Sequence, residues 1–175
     1  MNLRLITAIA LIAFVTTGCA KKDAPDTSAT AAASTAEATA AAAPTAKAGV
    51  RTIEITGGDT MKFNLTKIEA KAGEELKIVL KNIGTQPKEV MGHNWVLLKL
   101  GSDAGAFAAA AVTAKATDYI PEALKDQIVA HTALIGPRKS DEITFKVPEA
   151  AGDYPFLCSF PAHFQVGMKG VLTVK

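Results

Sequence analysis

The chain has 175 residues, of which 49% are hydrophobic and 21% charged, and its formal net charge is +2. This near-neutral balance gives no support to a protein that binds nucleic acid or an acidic partner through bulk charge. With only two cysteines, the chain also cannot be a small scaffold built on several disulfides.

Residues 1–18 have the pattern of an export signal. Arg4 provides a basic start, an apolar run follows from Leu5 to Val15, and small residues end the segment. The run is too short to span a bilayer comfortably. Gly18 and Cys19 resemble a lipoprotein processing site, so Cys19 is predicted to become a lipidated N-terminus; ordinary cleavage nearby, with Cys19 discarded or idle, is the alternative.

Residues 19–49 are predicted to be the lipidated N-terminus and a linker. The stretch 24–48 consists almost entirely of Ala, Thr, Ser and Pro and has no aromatic or branched aliphatic residue with which to build a core. As a flexible coil, the segment from Cys19 to Val50 would span about 30 Å. A domain tethered to a membrane is therefore expected to follow.

Residues 50–175 have the length and the apolar pattern of one folded domain. Apolar residues alternate with polar ones, as in half-buried strands, and turn signals such as GGD at 57–59 separate the runs. The pattern predicts an all-β fold, a Greek-key antiparallel β-sandwich of six to eight strands. The alternating residues are Ile53 and Ile55; Leu76, Ile78 and Leu80; Ile143, Phe145 and Val147; and Tyr154, Phe156 and Cys158.

Residues 102–127 break this alternation. The segment is rich in alanine, which favours helix over strand. It therefore predicts a short helical insertion, and the even spread of its alanines places it on the outside of the sandwich.

The stretch CSFPAHFQVGM at 158–168 contains three soft ligand types. Cys158, His163 and Met168 lie on a loop that joins the strand ending at Cys158 to the one beginning near Lys169. Thiolate, imidazole and thioether together suit copper much better than a hard cation. An inert buried thiol is the alternative for Cys158.

A copper site with one cysteine and two histidines needs a second imidazole from elsewhere in the chain. His93 stands just ahead of the apolar run 95–100, at the start of a predicted strand, so it could meet the Cys158 loop at one end of the sandwich. His131 has no other ligand type nearby. Each histidine taken alone is an ordinary residue, and His93 becomes a candidate only because the Cys158 loop needs a partner.

Four segments of the domain form a pattern in chain order: MGHNWVL at 91–97, IVAHTALIG at 128–136, CSFPAH at 158–163 and MKGVLTV at 168–174. Together they resemble the cupredoxins, specifically the azurin and auracyanin branch, in which such segments follow in the same order. The resemblance implies one type 1 (blue) copper per chain. His93, Cys158 and His163 would be its ligands, with Met168 as a weak axial ligand and the Gly92 carbonyl opposite.

The resemblance also assigns supporting roles and shows two departures. Asn94 would brace the ligand loops and help to hold the Cys158 sulfur, and His131 would be a surface histidine. Four residues separate His163 from Met168, where azurins usually have three. The azurin disulfide is absent, since no cysteine lies between 20 and 157.

Electron transfer is the function that this site predicts, with the protein acting as a one-electron shuttle and not as an enzyme. A copper carrier or buffer is the alternative, although the chain has only four methionines and no CxxC. A cysteine hydrolase or peroxidase would need an orienting third residue and an oxyanion hole, and no local signature proposes either. Three histidines in all are too few for a multicopper enzyme, and a purely structural lipoprotein is a further alternative.

Redox proteins are the predicted partners, and the membrane is reached through the lipid anchor. The protein is expected to be a monomer. Because the residue after Cys19 is Ala20 and not aspartate, the anchor is expected in the outer membrane, with the domain facing the periplasm or the cell surface. An apolar patch around the His163 edge is predicted to dock the partners, with simple core filling as the alternative for its two phenylalanines. Its residues are Met91, Phe160, Pro161, Ala162 and Phe164.

Overall fold

The computed structural model describes residues 49–175. The predicted signal peptide at 1–18, the lipidation site Cys19 and the linker stretch 24–48 lie outside the described residues. These three assignments therefore stay predictions.

Two β-sheets form the body of the domain, and the predicted all-β sandwich is confirmed. One sheet has three strands in the order β1-β3-β6, and the other has five in the order β2-β8-β7-β4-β5. The strands are β1 (Val50–Gly57), β2 (Lys67–Ala70), β3 (Glu75–Asn82), β4 (Val96–Leu98), β5 (Ile128–His131), β6 (Ser140–Lys146), β7 (Gly152–Leu157) and β8 (Lys169–Val174).

The strand directions are mixed, which corrects the expectation of a purely antiparallel sandwich. β1 pairs with β3 in parallel, and so does β2 with β8, whereas β6, β7, β4 and β5 join their neighbours antiparallel. Alternating apolar residues determine which face of a strand is buried, but they carry no information about its direction. β1 and β3 can run parallel because β2, which lies between them in the chain, belongs to the other sheet.

The main core lies between the two sheets. Leu76, Ile78 and Leu80 of β3 are fully buried, as the alternation predicts. Trp95 packs against Phe156 of β7, with ring centroids 5.5 Å apart. This core lies directly beneath the end of the sandwich from which the ligand residues project.

The insertion forms helix α2 (Ala104–Ala111) and two 3₁₀ segments, Lys115–Thr117 and Glu122–Gln127. The Asp103 carboxylate caps α2 by accepting hydrogen bonds from the Gly105 and Ala106 amides. As predicted, the insertion covers the outside of the sandwich, where it builds a second apolar cluster on the five-stranded sheet. The buried members of this outer cluster are Val96, Leu98, Phe107, Ala108, Ile120 and Leu157.

A further short helix, α1 (Lys88–Met91), precedes His93 and was not predicted. It has a single turn, too short for a periodic apolar pattern. None of the helices between residues 49 and 175 is both long and apolar enough to cross a membrane.

Candidate metal centre

Three separate segments bring the predicted ligands to one end of the sandwich. His93 follows α1, Cys158 comes directly after β7, and Met168 comes directly before β8. Because Val96 of β4 pairs with Leu157 of β7, the segment before β4 and the loop after β7 lie side by side.

The donor atoms of His93, Cys158 and His163 converge. The two Nδ1 atoms are 3.3 Å apart, and the Cys158 Sγ lies 3.4 Å from Nδ1 of His163 and 4.0 Å from Nδ1 of His93. The three side chains are buried, His163 being 1% exposed. Two imidazole nitrogens and a thiol sulfur facing one point form the donor set that suits copper.

Burial keeps both imidazoles neutral. It lowers the pKa of His163 to about 4, with a smaller contribution from the charge of His93. Burial also lowers the pKa of His93, and the Gly58 backbone and the Asp59 carboxylate oppose this shift. Neutral imidazoles can ligate a metal at neutral pH without first losing a proton.

Cys158 is a protonated thiol when no metal is bound. Burial raises the pKa of this thiol to about 12, although the backbone amides of Asn94 and Phe160 act in the opposite direction. A cysteine nucleophile needs a depressed pKa and access to its substrate. Because Cys158 has neither, the hydrolase and peroxidase alternatives lose their main requirement.

Backbone hydrogen bonds close the ligand loop at its base. The Cys158 amide donates to the Met168 carbonyl over 3.0 Å, and the Met168 amide donates to the His163 carbonyl over 2.9 Å. The Lys62 ammonium donates to the carbonyl of Val166. Gly167 has a φ of 99°, a conformation that favours glycine, and so allows the turn into Met168.

Asn94 joins the two ligand segments through Ser159. Its Nδ2 donates to the Ser159 hydroxyl over 2.8 Å, and its Oδ1 accepts from the Ser159 amide over 2.9 Å. These hydrogen bonds connect the two ligand segments, and the role suggested for Asn94 by resemblance stays a prediction. Ser159 received no role from the sequence, since an isolated serine beside a cysteine carries no signal of its own.

Asn82 supports His93 indirectly, through Ile135, and this role was not predicted from the sequence. Its buried amide donates to the Ile135 carbonyl over 3.3 Å and accepts from the Gly84 amide over 2.9 Å. The same Ile135 exchanges two backbone hydrogen bonds with His93, at 3.1 and 2.8 Å. The sequence does contain a signal for this role, because Asn82 is a polar residue on the apolar face of β3.

The remaining predicted residues lie around this group. Gly92 is buried at the end of α1, and the role of its carbonyl stays a prediction. His131 is exposed at the end of β5, and its Nδ1 lies 3.0 Å from the Thr132 carbonyl. It is not part of the convergent group.

The predicted apolar patch is divided by the fold. Phe160 is buried between Tyr119 and His163, with ring centroids at 4.9 and 4.7 Å. Phe164 packs against the outer cluster, with the Lys169 ammonium 4.2 Å from its ring centroid. Ala162 is exposed, and Met91 and Pro161 are half-buried.

Two curated relatives are azurins. The chain is 40% identical over 125 residues to azurin-1 of Alcaligenes xylosoxydans xylosoxydans, covering 69% of this chain and 94% of that protein. It is 36% identical over 127 residues to azurin of Pseudomonas aeruginosa, covering 70% of this chain and 84% of the relative.

Solved auracyanin structures share the fold. Reduced auracyanin from Roseiflexus castenholzii has a TM-score of 0.64 and 36% identity, over 71% of this chain and 96% of that one. Auracyanin A from Chloroflexus aurantiacus, described as a "blue" copper protein, has a TM-score of 0.63 and 34% identity, over 73% of this chain and 100% of its own. The family model for copper binding proteins of the plastocyanin/azurin family matches residues 50–175. The chain belongs to this family.

Proposed function

We propose that His93, Cys158 and His163 would hold one copper ion in this electron carrier, with the Met168 thioether as a weaker fourth donor. The observation that carries the proposal is the buried convergence of two Nδ1 atoms and one Sγ within 4.0 Å of one another. When bound, copper would supply one-electron chemistry by cycling between Cu(II) and Cu(I). The protein is an electron carrier and not an enzyme.

The chain contributes ligands that are held in place by hydrogen bonds and shielded from water. The Asn94–Ser159 hydrogen bonds and the Cys158–Met168 backbone pair hold the ligand segments together. His93, His163 and Cys158 are at most 1% exposed, so water has little access to their donor atoms. Ligands that are already in place need to move little when the charge at the site changes by one electron.

Burial also argues against the alternative of a copper carrier or buffer. A carrier must hand its ion to another protein, which requires donor atoms that a partner can reach. Here Cys158 and Met168 are both fully buried. An electron can leave such a site through protein atoms, whereas an ion cannot leave without opening the loop.

Copper titration with a ligand variant tests the site. The purified protein should become intensely blue with one Cu(II) per chain and show narrow copper hyperfine splitting. Cys158→Ser should abolish the colour, because the charge transfer begins on sulfur. His131→Gln is the matched control and should stay blue; a blue Cys158→Ser variant would refute the assignment.

Redox proteins are the partners of this carrier, and we place their docking surface at the end of the molecule that holds the ligands. Val90 of α1 and Val166 of the ligand loop are large aliphatic residues exposed by 58% and 42%. With Met91 and Ala162, they form what we call the docking face. It keeps part of the predicted patch and leaves out the two phenylalanines, since Phe160 is buried and Phe164 packs against the outer cluster.

Lipid anchoring through Cys19 is the further part of the proposal, and it is supported by the signal pattern of residues 1–18. The mature chain would then reach its partners from the outer membrane, facing the periplasm or the cell surface. Mass spectrometry should find an acylated N-terminal Cys19, and Cys19→Ala should release the protein from membranes. A mature chain that begins elsewhere without acyl groups would contradict the anchor.

A further inference from the structure

Gly57, the last residue of β1, lies directly against two of the candidate ligands. A Cβ atom added to Gly57 would sit 2.5 Å from Met168 Cε and 3.4 Å from His93 Cδ2. Real Cβ atoms essentially never approach another heavy atom as closely as the first of these distances. The φ of Gly57 is outside the left-handed region, so its backbone conformation does not require glycine.

The backbone at Gly57 has no room to withdraw. Its carbonyl accepts a hydrogen bond from the Ile83 amide over 2.8 Å. Gly57 also pairs with Asn82 of β3 and forms a β-bridge with Phe63. An added methyl group would therefore have to be accommodated on the side of the ligands.

Met168 has a fixed backbone as well. Its amide and carbonyl are bonded to His163 and Cys158, at 2.9 and 3.0 Å. The side chain is fully buried, but the torsions of an unbranched thioether remain adjustable. The part of Met168 that can yield to a methyl group on Gly57 is thus its thioether.

We infer that Gly57 is a positioning residue that determines where the Met168 thioether lies relative to His93, Cys158 and His163. The inference rests on the proposed copper site for its effect on the metal, while the contact itself is independent of metal. The absence of a side chain at Gly57 lets the thioether occupy the space between β1 and the ligand group. A thioether displaced from that space would donate differently to a bound copper and so change the reduction potential.

The first experiment compares the full chain, Gly57→Ala, Met168→Ala and the double variant, all loaded with copper. Gly57→Ala should shift the reduction potential and change the EPR spectrum. In the Met168→Ala background, the same substitution should produce no further shift. Gly136→Ala is the matched control, because its Cβ would meet the side chain of Lys88 at 3.2 Å and not a ligand.

The second experiment uses the same four proteins without metal. Gly57→Ala should lower the midpoint of thermal unfolding clearly, and much less so when Met168→Ala has removed the Cε atom. This measurement stays valid if Gly57→Ala binds copper poorly, because no metal is present. In the double variant, the space vacated by the Met168 side chain can accept the added methyl group.

Equal destabilisation by Gly57→Ala in both backgrounds would overturn the inference. An unshifted potential and spectrum in copper-loaded Gly57→Ala would overturn it too. Failure of the parent protein to bind copper in the Cys158 site would refute the proposed function, and the metal-free comparison would still decide whether Gly57 positions Met168.

Discussion

Ala162 is exposed between Pro161 and His163 in the ligand loop, and its φ is 68°. Left-handed backbone crowds the Cβ atom of every residue except glycine. We therefore expect Ala162→Gly to raise the free energy of unfolding by about 1 kcal/mol. Denaturant unfolding of the metal-free protein measures this, and a loss of stability would show that the Ala162 methyl makes contacts worth more than the strain.

The protonation states of Cys158 and His163 predict how many protons are released when a metal binds. Since the pKa of the thiol is raised to about 12 and that of His163 is lowered to about 4, only Cys158 must lose a proton at pH 7. Binding should release one proton per copper at pH 7, and the number should rise as the pH falls toward 4, where His163 becomes charged.

Calorimetry of copper binding in two buffers with different ionisation enthalpies counts these protons. Cys158→Ser provides the control, since it should release none at pH 7. Release of two or three protons at pH 7 in the parent protein would mean that the histidines are charged before metal binds.

At the level of elements, the segment before β4 and the loop after β7 depend on Asn94. Asn94→Ala would leave the buried Ser159 amide without its acceptor. An unsatisfied buried group of this kind costs about 1–3 kcal/mol, so the metal-free protein should lose that much stability. Because the ligands themselves remain, copper should still bind and the colour should persist.

Chemical denaturation with and without copper tests this prediction. Ser159→Ala is the matched variant, because it removes the hydroxyl and keeps the hydrogen bond from the backbone amide of residue 159 to Asn94. It should lower the free energy of unfolding by less than Asn94→Ala does. A colourless Asn94→Ala protein would mean that the residue acts on the ligands more directly than the hydrogen bonds indicate.

At the scale of the whole molecule, the proposed docking face makes a prediction about association with redox partners. Val90→Lys would place a charge where apolar surface must be desolvated. A loss of about 1.4 kcal/mol of contact energy weakens the encounter complex tenfold. Electron self-exchange between reduced and oxidised copies, followed by NMR line broadening, should slow by roughly this factor.

Val112→Lys provides a control with the same added charge. Val112 lies at the end of α2 and is 48% exposed, close to the 58% of Val90. The control should leave self-exchange nearly unchanged. Equal slowing in both variants would assign the effect to net charge and not to the docking face.

A second prediction at this scale concerns the predicted linker. If Cys19 is anchored, residues 24–48 keep the domain near its partners and raise their effective concentration. Shortening this segment to ten residues should slow electron delivery in membranes while leaving the copper spectrum unchanged. Unchanged delivery would show that the domain does not need the length of the tether.

Residue types alone determined the chemistry of the site. A thiol, imidazoles and a thioether within and near CSFPAHFQVGM select a soft metal whatever fold surrounds them. Alternation in segments such as LKIVL likewise determined which side chains of β3 are buried, since neighbouring strand residues point to opposite faces. Family resemblance, and not spacing, placed Asn94 beside the ligands.

Only the tertiary structure decided which distant residues meet. The parallel pairing of β1 with β3 and the contact of Gly57 with Met168 both depend on how separate strands are arranged in space. The contacts of Phe160 with Tyr119 and of Phe164 with the outer cluster likewise depend on the insertion at 102–127. Local patterns specify faces and periods, whereas contacts between distant segments follow from packing.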